Sequence, residues 1–302
     1  MKQKKSIVLL CLILLLLFCA CGMESTSQET AAPQGMTAAT PSPSPVPVQD
    51  SAADVVSELT AVPTPGQKQE ALPTPLPEPT MSPEELAERL EAYFDGTVFI
   101  GDSIMEGIRQ YVAQNRAQTP TLGDAQFLTS TIGVSVAKLL NGEQAGPYYR
   151  YNGQNRYLLQ ILPQLECRRI FVQLGLNDMS EAGAQVENSV QQYGQLIDLL
   201  QSTVPEAEIV VITNPPKVAS MWLPDYTANR KFGNELISEF VGALIEMCED
   251  RGIPYVDAHT ALQNEEGVLP DDYCRDGFIH LNNAGAKVVV EELYRFAAER
   301  IG

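Results

Sequence analysis

The chain has 302 residues and a formal net charge of −18. A protein this acidic repels phosphate backbones, which argues against nucleic acid as a partner and against membrane binding through a basic patch. Only residues 82–302 have a composition and length suited to a folded domain with its own core.

The N-terminus carries an export signal. Three lysines within the first five residues precede an apolar run over Ile7–Phe18, which is short for a membrane-spanning helix of about 20 residues. The run ends in Ala20-Cys21-Gly22, which resembles a bacterial lipobox. The resemblance implies that residues 1–21 are a lipoprotein signal peptide, that Cys21 is lipidated, and that the rest lies on the extracellular face of the membrane. An uncleaved anchor and an ordinary cleaved signal are the alternatives, and both also place the domain outside the cytoplasm.

Residues 22–81 form a linker rich in proline, serine and threonine. Such a segment buries too little apolar surface to offset the cost of ordering its backbone, so it is predicted to be disordered. Its prolines make it an extended spacer between the membrane and the domain.

The domain begins at Ser82-Pro83, a helix start with serine as N-cap and proline in the first turn. Apolar strands and helices then alternate, which predicts a three-layer α/β/α fold with a central, mostly parallel sheet. The predicted strands are Thr97–Gly101, Gln126–Ser130, Arg169–Gly175, Glu208–Thr213 and Pro254–Asp257. The predicted helices that follow them are Ile104–Gln114, Tyr157–Leu165, Val186–Ser202, Asn229–Arg251 and Asn283–Arg300.

Polar motifs end two of these predicted strands. Gly101-Asp102-Ser103 ends the first strand, and a serine at the start of a helix is exposed beside free backbone N–H groups. Gly175-Leu176-Asn177-Asp178 ends the third strand, and its asparagine amide could donate to an oxyanion. A simple helix cap and a simple turn are the alternative interpretations. Ligand sites in open parallel sheets lie at these carboxyl ends.

Histidine is the usual base for a serine nucleophile near neutral pH. The chain has two histidines. His280 follows acidic residues and precedes the last helix, whereas His259 has no such setting and is interpreted as structural.

These motifs resemble the sequence blocks of the SGNH hydrolases, also called GDSL esterases/lipases. The matching pieces are Gly101-Asp102-Ser103, a glycine block at Thr131–Ser135, Gly175-Leu176-Asn177-Asp178, and Asp276 through His280. The resemblance implies a flavodoxin-like α/β/α fold and a serine esterase with Ser103 as nucleophile, His280 as base and Asp276 as acid. It further implies an oxyanion hole made by the Ser103 N–H, the Gly133 N–H and the Asn177 amide, with no metal and no organic cofactor.

One departure from the family concerns the acid. The family has its aspartate three residues before the histidine, where this chain has Gly277, and Asp276 lies four before. A bulge at the glycine would let Asp276 reach the ring. Asp271 or Asp272 could substitute, or the enzyme could work as a Ser-His dyad.

The predicted extracellular location favours a small ester or an acylated carbohydrate as substrate. No long apolar lid is evident in the sequence, which favours short acyl groups. Trp222 and Tyr226 could form a wall that stacks on sugars, or Trp222 could simply pack in a long loop. The protein is expected to be a monomer. A non-catalytic glycan- or wall-binding lipoprotein is the main alternative. A phosphate-processing enzyme has no support, because no glycine-rich phosphate loop and no acid-histidine metal cluster are present.

Overall fold

The structure is a computed structural model that describes residues 81–130, 133–142, 148–181, 184–219 and 232–301. The signal peptide with Cys21, the linker, and both Trp222 and Tyr226 lie outside these ranges, so what the sequence predicts for them stays a prediction. Within the described ranges, no helix combines the length and the apolar composition needed to cross a membrane.

Five parallel strands form the central sheet, in the order β2-β1-β5-β6-β7. The middle strands are buried along almost their whole length, which explains why they read as continuous apolar runs. The bounds of the sheet strands are β1 Thr97–Gly101, β2 Gln126–Thr129, β5 Arg169–Gln173, β6 Glu208–Ile212 and β7 Tyr255–Val256.

Helices cover both faces of the sheet. Helix α1 (Pro83–Tyr93), α2 (Ser103–Asn115) and α9 (Asn283–Ile301) pack together, and so do α3 (Val136–Leu140), α6 (Val186–Thr203) and α7 (Asn234–Arg251). The predicted three-layer α/β/α fold with a parallel sheet is confirmed. Three short helices complete the described part: α4 Leu158–Ile161, α5 Leu176–Met179 and α8 Ala258–Ala261.

A row of phenylalanine rings sets the strands in register. Phe99 of β1 pairs with Phe127 of β2 and Phe171 of β5, and its ring stacks on both at centroid distances of 4.8 and 5.0 Å. Phe94 and Phe296 add further ring contacts to Phe171. The register of the parallel strands brings their carboxyl ends to one edge of the sheet.

Two local features differ from what the sequence predicts. An unpredicted hairpin joins β3 (Tyr148–Tyr151) to β4 (Gln154–Tyr157) through Asn152-Gly153, where both residues have positive φ, 49° and 76°. Asn-Gly favours this turn strongly.

The helix predicted over Tyr157–Leu165 is wrong in extent. Helix α4 ends at Ile161 and a 3₁₀ turn follows over Leu162–Gln164, because Pro163 has no N–H to continue the helix.

Candidate active site

The site begins where β1 turns into α2. A Cβ on Gly101 would lie 2.3 Å from the Cβ of Met105 and 3.1 Å from the carbonyl oxygen of Gln173. Only glycine therefore lets the first turn of α2 lie so close to the end of the strand. Ser103 is the first residue of that helix, and this close approach places its hydroxyl at the carboxyl edge of the sheet.

Ser103, His280 and Asp276 form one hydrogen-bonded chain. The ring Nε2 of His280 lies 2.9 Å from Ser103 Oγ, although the two residues are 177 positions apart in the sequence. The other ring nitrogen, Nδ1, lies 2.5 Å from Asp276 Oδ2. This arrangement matches that of a nucleophile, a base and an acid that orients the base.

The loop that carries Asp276 and His280 is closed by its own backbone. Gly277 has a φ of 67°, which favours glycine, and the Arg275 N–H donates to the His280 carbonyl at 2.8 Å. Asp276 Oδ1 accepts from the backbone N–H groups of Phe278 at 3.0 Å and Ile279 at 3.2 Å. Because Oδ1 accepts these bonds, Oδ2 faces the His280 ring. The carboxylate therefore reaches Nδ1 although Asp276 lies four residues before His280, where the family has three.

The electrostatics of Asp276 favour a charged carboxylate. Burial raises its pKa, but the hydrogen bond and charge of His280, the Phe278 N–H and the Cys274 thiol outweigh burial and lower the pKa to about 2. No hydrogen bond joins the ring of His280 to Asp271 or Asp272, both of which the structure describes. Of the three candidate acids, Asp276 is the one that the structure brings to the ring.

Asn177 lies on α5, directly after β5. Its amide nitrogen donates to Asp102 Oδ2 at 2.9 Å and to the Val134 carbonyl at 2.8 Å. In this resting arrangement both acceptors belong to the protein, so an oxyanion would have to replace one of them.

Asp102 is a buried carboxylate next to the nucleophile, with 1% of its surface exposed. Its Oδ1 accepts from the Ile104 N–H at 2.9 Å. Burial raises its pKa from 3.8 to about 6, against the lowering effects of the Ile104 N–H and of His280, and nearby Asp178 adds to the rise. From the sequence, a simple helix cap was the alternative interpretation of this motif, and Asp102 is indeed the N-cap of α2; its bond to Asn177 was not foreseen.

Gly133 is exposed in a loop that Asp178 holds in place. The two carboxylate oxygens of Asp178 accept from the Val136 N–H at 2.9 Å and the Ala137 N–H at 3.0 Å, at the start of α3. Burial raises the pKa of Asp178 while these two bonds lower it. Sequence reasoning also missed this role. The signal lay in the Asn177-Asp178 pair: Asn177 bonds to Val134 in the glycine block, and Asp178 bonds to the first turn of the helix that follows it.

A pocket of about 280 Å³ opens over these residues. It includes every predicted catalytic and oxyanion residue except Asp276, together with apolar side chains. Its lining is Asp102, Ser103, Ile104, Gly133, Leu176, Asn177, Ser180, Phe232, Phe278, Ile279 and His280. Among the described residues, no group of three or more His, Cys, Asp or Glu is placed to hold a metal ion.

His259 is not part of this pocket. It is 5% exposed, its Nδ1 lies 2.8 Å from the Asn214 carbonyl oxygen, and its Nε2 lies near Ser238 and Gln263. Burial lowers its pKa. These contacts agree with the structural interpretation made from the sequence.

Comparison with known families decides the classification. A sequence model of the GDSL-like lipase/acylhydrolase family matches residues 99–288, which span β1 to α9. The chain belongs to this family. A search of curated proteins found no match.

Solved structures similar to this GDSL hydrolase include a GDSL-like lipase from Bacteroides thetaiotaomicron, at 15% identity and a TM-score of 0.49, covering 68% of this chain and 88% of that one. A lipase/acylhydrolase from Enterococcus faecalis has 17% identity, a TM-score of 0.47, and coverage of 68% and 96%. A carbohydrate acetylesterase family member from Sinorhizobium meliloti has 17% identity, a TM-score of 0.45, and coverage of 66% and 95%.

The buried Asp102 predicts a pH-dependent stability for this hydrolase. Because its folded-state pKa of about 6 lies above the unfolded value of 3.8, its contribution is present below pH 3.8 and is lost as the pH rises through about 6. Relative to Asp102→Asn, the wild type should lose on the order of 2 kcal/mol of unfolding free energy between pH 4 and pH 7. Urea denaturation of both proteins at the two pH values measures this. A stability difference that is equal at both would contradict the assignment.

The spacing of the acid gives a second prediction. Asp276→Asn should favour the wrong tautomer of His280 and lower kcat by roughly 10⁴-fold, as the same change does in the serine proteases. Asp271→Asn and Asp272→Asn are the matched controls and should be nearly silent. Steady-state kinetics on p-nitrophenyl acetate provides the measurement. Near-full activity in all three, with an inactive His280→Ala, would instead mean a Ser-His dyad.

Proposed function

We propose that this GDSL hydrolase is an extracellular serine esterase that removes short O-acyl groups, chiefly O-acetyl, from cell-wall or other glycans. The observation that carries the proposal is the chain of contacts from Ser103 Oγ through His280 to Asp276, at 2.9 and 2.5 Å. Membership of an acylhydrolase family supports ester chemistry at that serine.

In the proposed mechanism, His280 Nε2 takes the hydroxyl proton as Ser103 Oγ attacks the ester carbonyl. Asp276 holds Nδ1–H and stabilises the charged ring, which its own low pKa favours. The oxyanion accepts from the Ser103 N–H, the Gly133 N–H and the Asn177 amide. His280 returns the proton to the leaving alcohol, and water then hydrolyses the acyl enzyme by the same route in reverse. The mechanism requires no metal and no organic cofactor.

The size of the pocket supports a short acyl group. At about 280 Å³, it lies at the lower end of ligand-binding cavities, which take up roughly 300–1,000 Å³. Phe232 and Phe278 pack edge to face at 6.1 Å and are each less than a tenth exposed. Their packing makes this wall of the pocket solid, so a long acyl chain would have to displace an aromatic side chain.

A glycan substrate is proposed from the expected location of the protein at the cell surface. A lipid on Cys21 and an extended linker over residues 22–81 would hold a monomeric domain near the outer face of the membrane, within reach of wall polymers. Trp222 and Tyr226 are proposed as sugar contacts because they lie in the segment that leads to Phe232, a residue of the pocket wall.

The nucleophile assignment is tested with Ser103→Ala. The variant should keep its fold, because Ser103 is partly exposed and its removal creates little void, and should lose hydrolysis of p-nitrophenyl acetate by several orders of magnitude. Acetate release from acetylated peptidoglycan, xylan and chitin oligomers then identifies the polymer. Unchanged turnover by pure Ser103→Ala protein would refute the assignment. An inactive wild type that still binds wall polymers would instead support the non-catalytic alternative.

The proposed anchor is tested with Cys21→Ser. Without the thiol the protein cannot be lipidated, so it should leave the membrane fraction or remain unprocessed. Fractionation of cells expressing the full chain measures this, and Cys19→Ser is the matched control. A Cys21→Ser protein that matures and fractionates like the wild type would show that the lipobox interpretation is wrong.

A further inference from the structure

We infer that Asp102 is a positioning residue that selects which end of the Asn177 amide faces the active site. This inference rests on the proposed function, because Asn177 matters for the reaction only if an oxyanion forms beside it. The sequence motif places Asp102 before the nucleophile, and the contacts of its carboxylate point to this second task.

A carboxamide has two ends of opposite character, an NH₂ group that donates and an oxygen that accepts. Rotation of the Asn177 amide by 180° would exchange them, and the oxygen would then repel an oxyanion. The two groups that contact the amide nitrogen, Asp102 Oδ2 and the Val134 carbonyl, are both acceptors. The rotated amide would place oxygen against oxygen at both contacts, so the arrangement with nitrogen inward is strongly preferred.

Asp102 can impose this choice because its own position is determined. Its Oδ1 is held by the Ile104 N–H at 2.9 Å, within the first turn of the helix that carries Ser103. The side chain is 1% exposed, so little water reaches the carboxylate to compete for these bonds. A single carboxylate thus connects the helix of the nucleophile to the proposed oxyanion donor.

The two bonds of the amide nitrogen differ in strength. A bond to a charged acceptor is roughly twice as strong as one to a neutral carbonyl. The weaker bond, to the Val134 carbonyl, is therefore the one that a bond to an oxyanion can replace. The bond to Asp102 remains in place. No proton is transferred in this exchange, because a hydrogen bond to Val134 is replaced by one to the oxyanion.

The test is a double-mutant cycle on p-nitrophenyl acetate hydrolysis by the full chain. In Asp102→Asn the amide oxygen should keep the bond from the Ile104 N–H, so the new NH₂ group faces Asn177 and no longer favours its nitrogen at this contact. We expect kcat to fall about 10- to 100-fold, somewhat less than the 10²–10³-fold typical of removing an oxyanion donor. KM should stay within about threefold. In an Asn177→Ala background, Asp102→Asn should have no further effect on kcat, because its partner is already gone. A purely structural role would lower kcat in both backgrounds.

Asp257→Asn is the matched control. Asp257 also follows a strand of the same sheet and caps a short helix, and it accepts from the Thr260 N–H and Thr213 Oγ1, each at 3.1 Å. It does not line the pocket over Ser103, so this variant should keep the kcat of the wild type.

A second measurement does not depend on the folding of any variant. In a crystal structure of the wild type with a boronic acid bound to Ser103, Asn177 Nδ2 should stay within about 3.2 Å of Asp102 Oδ2 and donate to the boronate oxygen in place of Val134. A nitrogen that leaves Asp102, or an unchanged bond to Val134 with none to the boronate, would overturn the inference. So would an equal loss of kcat on Asp102→Asn in both backgrounds. A wild type without Ser103-dependent turnover would instead overturn the proposed function.

Discussion

The close contact between the end of β1 and the first turn of α2 is the constraint on which the site depends. Because Gly101 has no side chain, Met105 lies where a Cβ would otherwise be, and the helix begins directly at the edge of the sheet. Two side chains then have defined directions: Ser103 toward the pocket and Asp102 into the protein. A longer turn would carry the serine away from both His280 and Asn177, which come from distant parts of the chain.

Two carboxylates near Ser103 are held in opposite environments. Asp276 is about one third exposed and bonded to His280, and its pKa falls to about 2. Asp102 is buried, and its pKa rises to about 6. Acid and base roles in an active site are often divided in this way, by environments that move two pKa values apart. In the proposed mechanism the more exposed carboxylate, Asp276, compensates the charge that His280 acquires, whereas the buried Asp102 orders neutral donors.

The sequence predicted the sheet, and the residues that the structure brings together in the candidate site, better than it predicted how those residues are held. Continuous apolar runs identify buried strands, so all five were found, and the order of motifs identified Ser103 and His280. The hairpin at Asn152-Gly153 was missed although its turn signal is strong, because its strands are short and polar. The roles of Asp102 and Asp178 could not be predicted from spacing, since these partners lie in other elements about 40 to 75 residues away in the chain. Asp276 could be ranked above its neighbours but not fixed, because the bulge at Gly277 depends on backbone bonds within the loop.

The net charge of the chain bears little on the reaction itself. Surface charges are screened over about 8–10 Å at ordinary salt, so the −18 of the whole chain opposes an oxyanion weakly. The anion that matters is Asp102, because it is buried and adjacent to the nucleophile. Its carboxylate would oppose a second negative charge if the two faced each other directly. In the proposed mechanism the Asn177 amide keeps one proton on Asp102 and turns the other from the Val134 carbonyl to the oxyanion, so a neutral donor serves both anions. A carboxylate beside an oxyanion hole is therefore compatible with catalysis when an amide is held between the two charges.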